Sequence, residues 1–293
     1  MGALRRAAAC NCRMPRRPHT MVVNTRYLFT LLLSALDIDT ICDVGSMDGD
    51  DALRFRRARP AATIYALEPH PDNYRKMSAD GVLQRRSIRV APVAAAESDG
   101  EADFFLVHAD ENQRDRRGMS SLYERAGASA PRSVVKVRTT RIDTFLAGER
   151  SSRMRLALWI DAEGKAHEVI EGARGTLEGL LLLHVELETT PCIGAAQKLY
   201  PDVKALLHGL SFFELATDQP NGATQFNAVF VRRGLPNAIR LWIGVCLVRA
   251  RLRHLTFRLA RRACPAGLRH LQALKMNLRY RAGYSSRGTT RAS

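Results

Sequence analysis

Three acidic residues lie in or just after two segments that are predicted as buried strands. Asp161 and Glu163 follow the apolar run Leu156–Ile160 in "LALWIDAEG", and Glu186 interrupts the apolar run in "LLLHVELE". Side chains two positions apart in an extended segment point the same way, so Asp161 and Glu163 are expected to face one cleft. Neighbouring carboxylates raise one another's pKa, which suits a general base near neutral pH, and they can also hold a divalent cation or cap a strand. We predict that these three acids are catalytic and that the site holds no metal.

A turn with spaced glycines follows another predicted strand, in "ICDVGSMDGDDALRF" (residues 41–55). Glycines let a backbone approach a ligand closely, and a helix N-terminus offers free N–H groups to a carboxylate or a phosphate. The turn is rich in aspartate, which would repel the pyrophosphate that a G-x-G-x-x-G loop binds. S-adenosylmethionine is a better match because its amino group and sulfonium are positive. The predicted contacts with this cofactor are Asp43, facing the amino group, together with Gly45, Ser46 and Gly49.

The next predicted strand supplies an acid at a useful distance along the chain. Glu68 ends "IYALE", 25 residues after Asp43, which is close to the spacing at which an acid meets a ribose diol. Two hydroxyl groups on one carboxylate form strong hydrogen bonds; capping of the strand is the alternative role. Adenine is expected against Val93 and Ala94, after the third strand.

Several motifs occur in an order that resembles FkbM-type S-adenosylmethionine-dependent methyltransferases, over roughly Leu36 to Arg232. They are "DVGSMDGDDALRF", "ALEPHPDNYRKM", "SSLYE", "RIDTFL", "WIDAEGKAHEVIEGA" and "HVELE". The resemblance implies a class I methyltransferase fold whose seven-stranded sheet ends in an antiparallel strand. It also implies O-methylation, often of sugars or natural-product hydroxyls, and contacts from Ser120 and Ser121. Where the family commonly has a second acid after the glycine of "DAEG", this chain has Ala166.

Alternating strands and helices between residues 37 and 234 predict an α/β fold with a mostly parallel sheet and helices on both faces. Near-continuous apolar runs indicate strands that are buried on both sides. The predicted strands are Thr40–Val44, Thr63–Leu67, Ile88–Val93, Val134–Arg138, Leu156–Ile160, Leu182–Leu187, Phe212–Ala216 and Phe226–Val231. The predicted helices are Tyr27–Leu36, Asp50–Arg57, Pro71–Met77, Asp143–Leu146, Lys165–Arg174 and Ala195–His208.

The charge of the chain is concentrated at its two ends. The net charge is +16, and residues 1–36 and 235–293 together hold 19 arginines and lysines with no acid, which leaves about −3 for residues 37–234. We therefore predict a basic disordered tail at 1–20, a methyltransferase domain at 21–234 and a basic, amphipathic helical extension at 235–293.

The extension carries an apolar stripe among arginines. Its members recur at steps of three and four, as one face of a helix requires: Leu241, Val245, Val248, Leu252, Leu255 and Leu259. The stripe is expected to dock on the sheet domain, on a second copy, or on an anionic membrane surface. Base-stacking aromatic residues are scarce there, so we expect no nucleic-acid partner.

These features predict a methyltransferase that transfers a methyl group from S-adenosylmethionine to a hydroxyl of a small molecule or glycan. The alternatives are a nicotinamide-dependent oxidoreductase on a similar fold and an inactive methyltransferase-like protein that binds a membrane or a partner, for which Ala166 is the main support. No apolar run is long enough to span a membrane, no secretory signal is evident, and the six cysteines lack zinc-site spacing. The expected location is cytoplasmic, with peripheral membrane contact through the C-terminal helix.

Overall fold

The computed structural model describes residues 21–108, 117–125, 132–149, 154–218 and 224–263. The predicted tail at 1–20 and the last part of the basic extension, from 264 onward, lie outside these residues.

The described chain alternates strands and helices. The strands are β1 (Met21–Val22), β2 (Thr40–Val44), β3 (Thr63–Leu67), β4 (Ile88–Ala91), β5 (Ala94–Ala95), β6 (Gly100–Val107), β7 (Arg132–Thr140), β8 (Leu156–Ile160), β9 (Leu180–Glu188), β10 (Phe212–Thr217) and β11 (Gln225–Arg232). The α-helices are α1 (Thr25–Ala35), α2 (Asp50–Ala58), α3 (Pro71–Ser78), α4 (Gly81–Arg85), α5 (Ile142–Phe145), α6 (Ala166–Glu171), α7 (Tyr200–Gly209) and α8 (Asn237–Ala263).

The main sheet has the strand order β1-β10-β11-β9-β8-β2-β3-β4. Strand β11 runs antiparallel to both β9 and β10, and the other described pairs are parallel. The expected class I methyltransferase fold is confirmed. The predicted number of seven strands was wrong: the described sheet has eight, because the two-residue strand β1 pairs in parallel with β10 at its edge.

Apolar side chains fill both faces of this sheet. Every residue of β2 and β8 is buried, as strands covered on two sides require. One core lies between the sheet and α5, α6 and α7, and the other between the sheet and α1, α2, α3, α4 and α8. Parallel strands place their carboxyl ends at one edge, and this edge carries the polar turns described below.

A second sheet of three strands, in the order β5-β7-β6, lies beside the main one. The sequence predicted part of β7 but not β6. The first half of β6 is mostly exposed, and its buried apolar side chains lie in the second half. Strands β6 and β7 pair antiparallel from Gly100–Thr139 to Val107–Arg132.

Three predicted elements have clearly different bounds in the structure, and proline explains two of the differences. Strand β4 ends at Ala91 because Pro92 has no N–H group to continue the ladder. Helix α7 begins at Tyr200, five residues later than predicted, because Pro201 suits the first turn of a helix and cannot donate within it. The predicted helix at 165–174 is likewise shorter, since α6 ends before Gly172.

Helix α8 packs on α1 through a face that the apolar stripe does not include. Its buried side chains are Ile243, Cys246 and Ala250. The stripe itself is exposed, from 38 % at Leu255 to 72 % at Leu241, so the expectation that it docks on the sheet domain was wrong. Among the described residues, no helix is long and apolar enough to cross a membrane.

Candidate active site

The turn after β2 requires glycine at its first position. Gly45 has a φ of +78°, and a Cβ atom there would lie 2.0 Å from the carbonyl oxygen of Asp161. This contact joins the ends of two neighbouring strands, because the Asp161 N–H donates to the carbonyl of Val44 over 3.0 Å. Gly49 also has a positive φ, of +80°, and is the N-cap of α2, with the side chain of Leu83 where a Cβ would point. The two predicted glycines are therefore needed for backbone reasons.

Asp43 lies behind this turn. Its side chain is buried, and one carboxylate oxygen accepts a hydrogen bond of 2.6 Å from the hydroxyl of Ser46. The other oxygen has no hydrogen-bond partner among the described residues. Burial, and next the nearby charge of Asp51, raise the pKa of Asp43 to about 8. Neither Asp43 nor Ser46 is among the residues that line the cleft described next.

A cleft opens beside the turn, at the carboxyl ends of β2, β3 and β8. Five of the residues predicted to bind the cofactor line it: Gly45, Glu68, Val93, Ala94 and Ser120. Two of the predicted catalytic acids, Asp161 and Glu163, also line it. The sequence did not predict the further lining residues Met47, Asn73, Phe104, Arg117, Leu122 and Lys165.

Glu68 connects the cleft to the turn. It is 4 % exposed, and it accepts hydrogen bonds from the N–H of Met47 (2.6 Å), the N–H of His70 (2.9 Å) and the amide of Asn73 (3.3 Å). Burial raises its pKa, although the three donors oppose this shift. An ionised carboxylate has about four acceptor sites, so about one remains for a ligand.

The three predicted catalytic acids come together in the folded chain. Asp161, Glu163 and Glu186 each have a carboxylate oxygen within 4.8 Å of the other two, which is also close enough to hold a metal ion. Strands β8 and β9 pair in parallel with Trp159 opposite His184, so the residues two positions further on are neighbours. Asp161 and Glu186 share a hydrogen bond.

Burial raises the pKa of all three carboxyl groups. Glu163 also lies beside the charge of Asp161, which raises its pKa further, whereas the Arg125 guanidinium opposes this shift. The shared hydrogen bond lowers the pKa of Asp161 and raises that of Glu186, so we assign the shared proton to Glu186. Asp161 then accepts the hydrogen bond from Glu186, which partly offsets the effect of burial on its own pKa. The pair is a carboxylate next to a carboxylic acid.

Basic and phenolic side chains contact Glu163 and the nearby Glu168. Arg125 forms an ion pair with Glu163, and both side chains are largely buried. The Tyr123 hydroxyl donates to Glu168 over 2.6 Å, and the ammonium group of Lys165 lies 4.1 Å from the Tyr123 ring centre. Sequence reasoning missed these residues. The nearness of "SSLYER" to the predicted Ser120–Ser121 element was the one signal for Tyr123 and Arg125.

The two serines of that element have different roles. The Ser120 hydroxyl accepts a 3.0 Å hydrogen bond from the N–H of Val107 and lines the cleft. The Ser121 hydroxyl donates over 2.7 Å to the carbonyl of Glu163 and accepts from the N–H of Tyr123. Ser121 thus holds Glu163, which has an unusual φ of +44°, in place.

Ala166 and His184 both pack in the interior of the protein. Ala166, where the family commonly has an acid, is buried at the start of α6. Glu168, two residues along, supplies the acid that binds Tyr123 and, over 3.4 Å, Lys165. His184 stacks on Trp159 with ring centres 3.5 Å apart, and burial lowers its pKa well below 6.5. It is a core histidine, and its ring bonds the Thr25 hydroxyl.

The chain is similar to known methyltransferases. Among curated proteins, "2-O-methyltransferase NoeI" of Sinorhizobium fredii is 27 % identical over 220 residues, 71 % of this chain and 84 % of the relative. A putative O-methyltransferase structure from Klebsiella pneumoniae has 12 % identity and a TM-score of 0.41, over 73 % of this chain and 83 % of that one. The N-terminal domain of EvdMO1 with SAH bound has 13 % identity and a TM-score of 0.37, over 72 % and 82 %. The family model "Methyltransferase FkbM domain" matches residues 43–213, more than half of the chain, and the chain belongs to this family of methyltransferases.

Proposed function

We propose that this methyltransferase uses S-adenosylmethionine to methylate a hydroxyl group of a small molecule or glycan. The observation that carries the proposal is the meeting of three carboxyl groups, Asp161, Glu163 and Glu186, at a cleft that the Gly45 turn and Glu68 also border. Family membership and the name of the relative, a 2-O-methyltransferase, support the same reading.

The residues of the cleft fit the cofactor. Glu68 has about one acceptor site left for a ribose hydroxyl, and the Asn73 side chain beside it can take part in binding the second. Val93, Phe104 and Leu122 offer an apolar wall for an adenine ring. When bound, S-adenosylmethionine supplies a methyl group that its sulfonium has already activated.

Asp161 is the proposed general base. An alcohol must lose its proton as its oxygen is methylated, so a carboxylate within hydrogen-bond reach lowers the barrier. Asp161 lines the cleft, and the protonated Glu186 donates a hydrogen bond to it, which keeps Asp161 the anionic member of the pair. The Arg125 ion pair holds Glu163 alongside, where it can orient the acceptor hydroxyl.

The function can be tested in two steps. Calorimetry should show binding of S-adenosylmethionine and S-adenosylhomocysteine but not of NAD. Mass spectrometry of small-molecule and glycan extracts, incubated with the enzyme and isotopically labelled cofactor, should then reveal an acceptor that gains a labelled methyl group on oxygen.

Asp161→Asn separates binding from chemistry. It should keep cofactor affinity within a few fold while methyl transfer falls by about 10²–10⁴, the usual contribution of a general base. The matched control is Asp103→Asn, which removes an exposed carboxylate of β6 that pairs with Lys136. Binding of NAD without binding of S-adenosylmethionine, or full activity of Asp161→Asn, would refute the proposal.

A further inference from the structure

Helix α8 has two apolar faces, and the described chain covers one of them. Ile243, Cys246 and Ala250 are buried against the body of the protein. About half a turn away, at 3.6 residues per turn, the stripe is exposed: Leu241 72 %, Val245 44 %, Val248 57 %, Leu252 58 %, Leu255 38 % and Leu259 64 %. Six aliphatic side chains in a continuous row are more than the scattered exposure that a surface normally shows.

The charges on α8 are of one sign and lie beside this stripe. The helix has seven arginines and no acid. At 3.6 residues per turn, Arg240 and Arg258 lie about a quarter of a turn to one side of the stripe, and Arg249 lies about a quarter of a turn to the other. All three are exposed. Trp242, 60 % exposed, lies on the Arg249 side.

Other contacts hold α8 firmly in this orientation. The Arg251 guanidinium donates to the carbonyl of Val22 over 2.6 Å, and Arg253 lies over the ring of Tyr27 at 4.3 Å. The stripe therefore faces outward without any rearrangement of the helix.

We propose that the outer face of α8 docks the protein on an anionic membrane surface, with the stripe at the acyl boundary and the arginines among the lipid headgroups. An apolar stripe between basic flanks is the pattern of a helix that lies in the membrane interface, and tryptophan is enriched at that depth. A second copy fits less well, because pairing two such faces brings arginines together with no acid on either helix. Nucleic acid would bind the arginines but leave the six aliphatic side chains in water.

The test is flotation of the full chain with vesicles. The chain should float with vesicles of equal parts phosphatidylcholine and phosphatidylglycerol and stay behind with phosphatidylcholine alone. Arg249→Gln with Arg258→Gln should weaken this binding by about 30-fold, since each basic residue near an anionic surface contributes about fivefold. Val248→Gln with Leu252→Gln should weaken it by at least about tenfold, from the loss of buried apolar area.

Matched controls lie on the body of the protein. Val82→Gln with Val134→Gln removes two exposed valines, and Arg85→Gln with Arg86→Gln removes two exposed arginines. Both should bind anionic vesicles like the unmodified chain.

Three outcomes would overturn the proposal. The full chain could fail to bind anionic vesicles. The α8 variants could bind as well as the controls, which would place lipid binding in other basic segments. Light scattering could show a dimer that Val248→Gln with Leu252→Gln dissociates while vesicle binding is absent, which would make this face an interface between copies.

Discussion

Gly45→Ala is expected to destabilise the fold and to do so for two separable reasons. A Cβ at this position would lie 2.0 Å from the carbonyl oxygen of Asp161, whereas ordinary contacts are at least 3.4 Å, so the backbone at the ends of β2 and β8 must move apart by more than an ångström. The φ of +78° adds a second cost, because an alanine in the left-handed region is less stable than glycine by about 1–2 kcal/mol.

Two other glycines separate the steric cost from the conformational cost. Gly234 has a φ of +75° and nothing within 4 Å of its Cβ position, so Gly234→Ala should cost the conformational term alone, about 1–2 kcal/mol. Gly209, at the end of α7, has neither a contact nor a positive φ, so Gly209→Ala should be neutral or stabilising by up to about 1 kcal/mol. Overpacking typically costs about 1–3 kcal/mol more, which gives about 2–5 kcal/mol for Gly45→Ala.

Urea unfolding followed by circular dichroism measures the series, with variants compared by midpoint where their slopes agree. From most to least stable, the expected order is Gly209→Ala, Gly234→Ala and Gly45→Ala. If Gly45→Ala were no less stable than Gly234→Ala, the close contact between Gly45 and Asp161 would not limit this position, and the steric explanation of the turn would be wrong.

Three further predictions concern acids and the buried histidine. Burial raises the pKa of Glu188 to about 7, so the folded chain keeps a proton that the unfolded chain loses near pH 4–5. The stability from this proton is present at lower pH and lost as the pH rises through about 7. In urea unfolding, Glu188→Gln should therefore match the unmodified protein near pH 4 and exceed it by about 3 kcal/mol above pH 8; no pH dependence of the difference would contradict this. His184→Ala should lower the free energy of unfolding by about 3 kcal/mol, because it removes the ring that stacks on Trp159. Calorimetry should show unchanged cofactor affinity. A selective loss of affinity would instead assign His184 to the site. Glu68→Gln should weaken S-adenosylmethionine binding at least about tenfold by calorimetry. The amide lacks the negative charge that strengthens a hydrogen bond from a hydroxyl, and its single oxygen must also accept from the Met47 N–H. Unchanged affinity would remove Glu68 from the ribose site.

Local patterns predicted the central strands well. The bounds Thr40–Val44, Thr63–Leu67 and Leu156–Ile160 are the same in the sequence interpretation and in the structure. These strands are short, apolar and bounded by turn residues, and burial on both faces requires such a composition. Strand β6 was missed because one of its ends is polar and exposed, which leaves little alternation to detect.

The candidate site was predicted in part. The acids were found because each lies in or just after an apolar strand, and parallel strands bring their carboxyl ends to one edge. Arg125, the ion-pair partner of Glu163, comes from a polar loop with no periodic pattern, and Lys165, which contacts Tyr123 and Glu168, lies at the start of α6. Whether these side chains reach the cleft depends on the tertiary structure and not on local sequence.

The sequence by itself determined the central strands, the glycine-spaced acidic turn and the existence of a basic, amphipathic C-terminal helix, because these depend on neighbouring residues and on period. Tertiary structure alone decided which groups share a proton and which face of α8 is covered. Asp161 and Glu186 are separated by 24 intervening residues and meet because β8 and β9 pair in register. The strongest apolar stripe of α8 is exposed because the small side chains Cys246 and Ala250 let the opposite face of the helix approach α1 closely. The free energy gained by packing two helices depends on how well their surfaces fit as well as on how apolar they are.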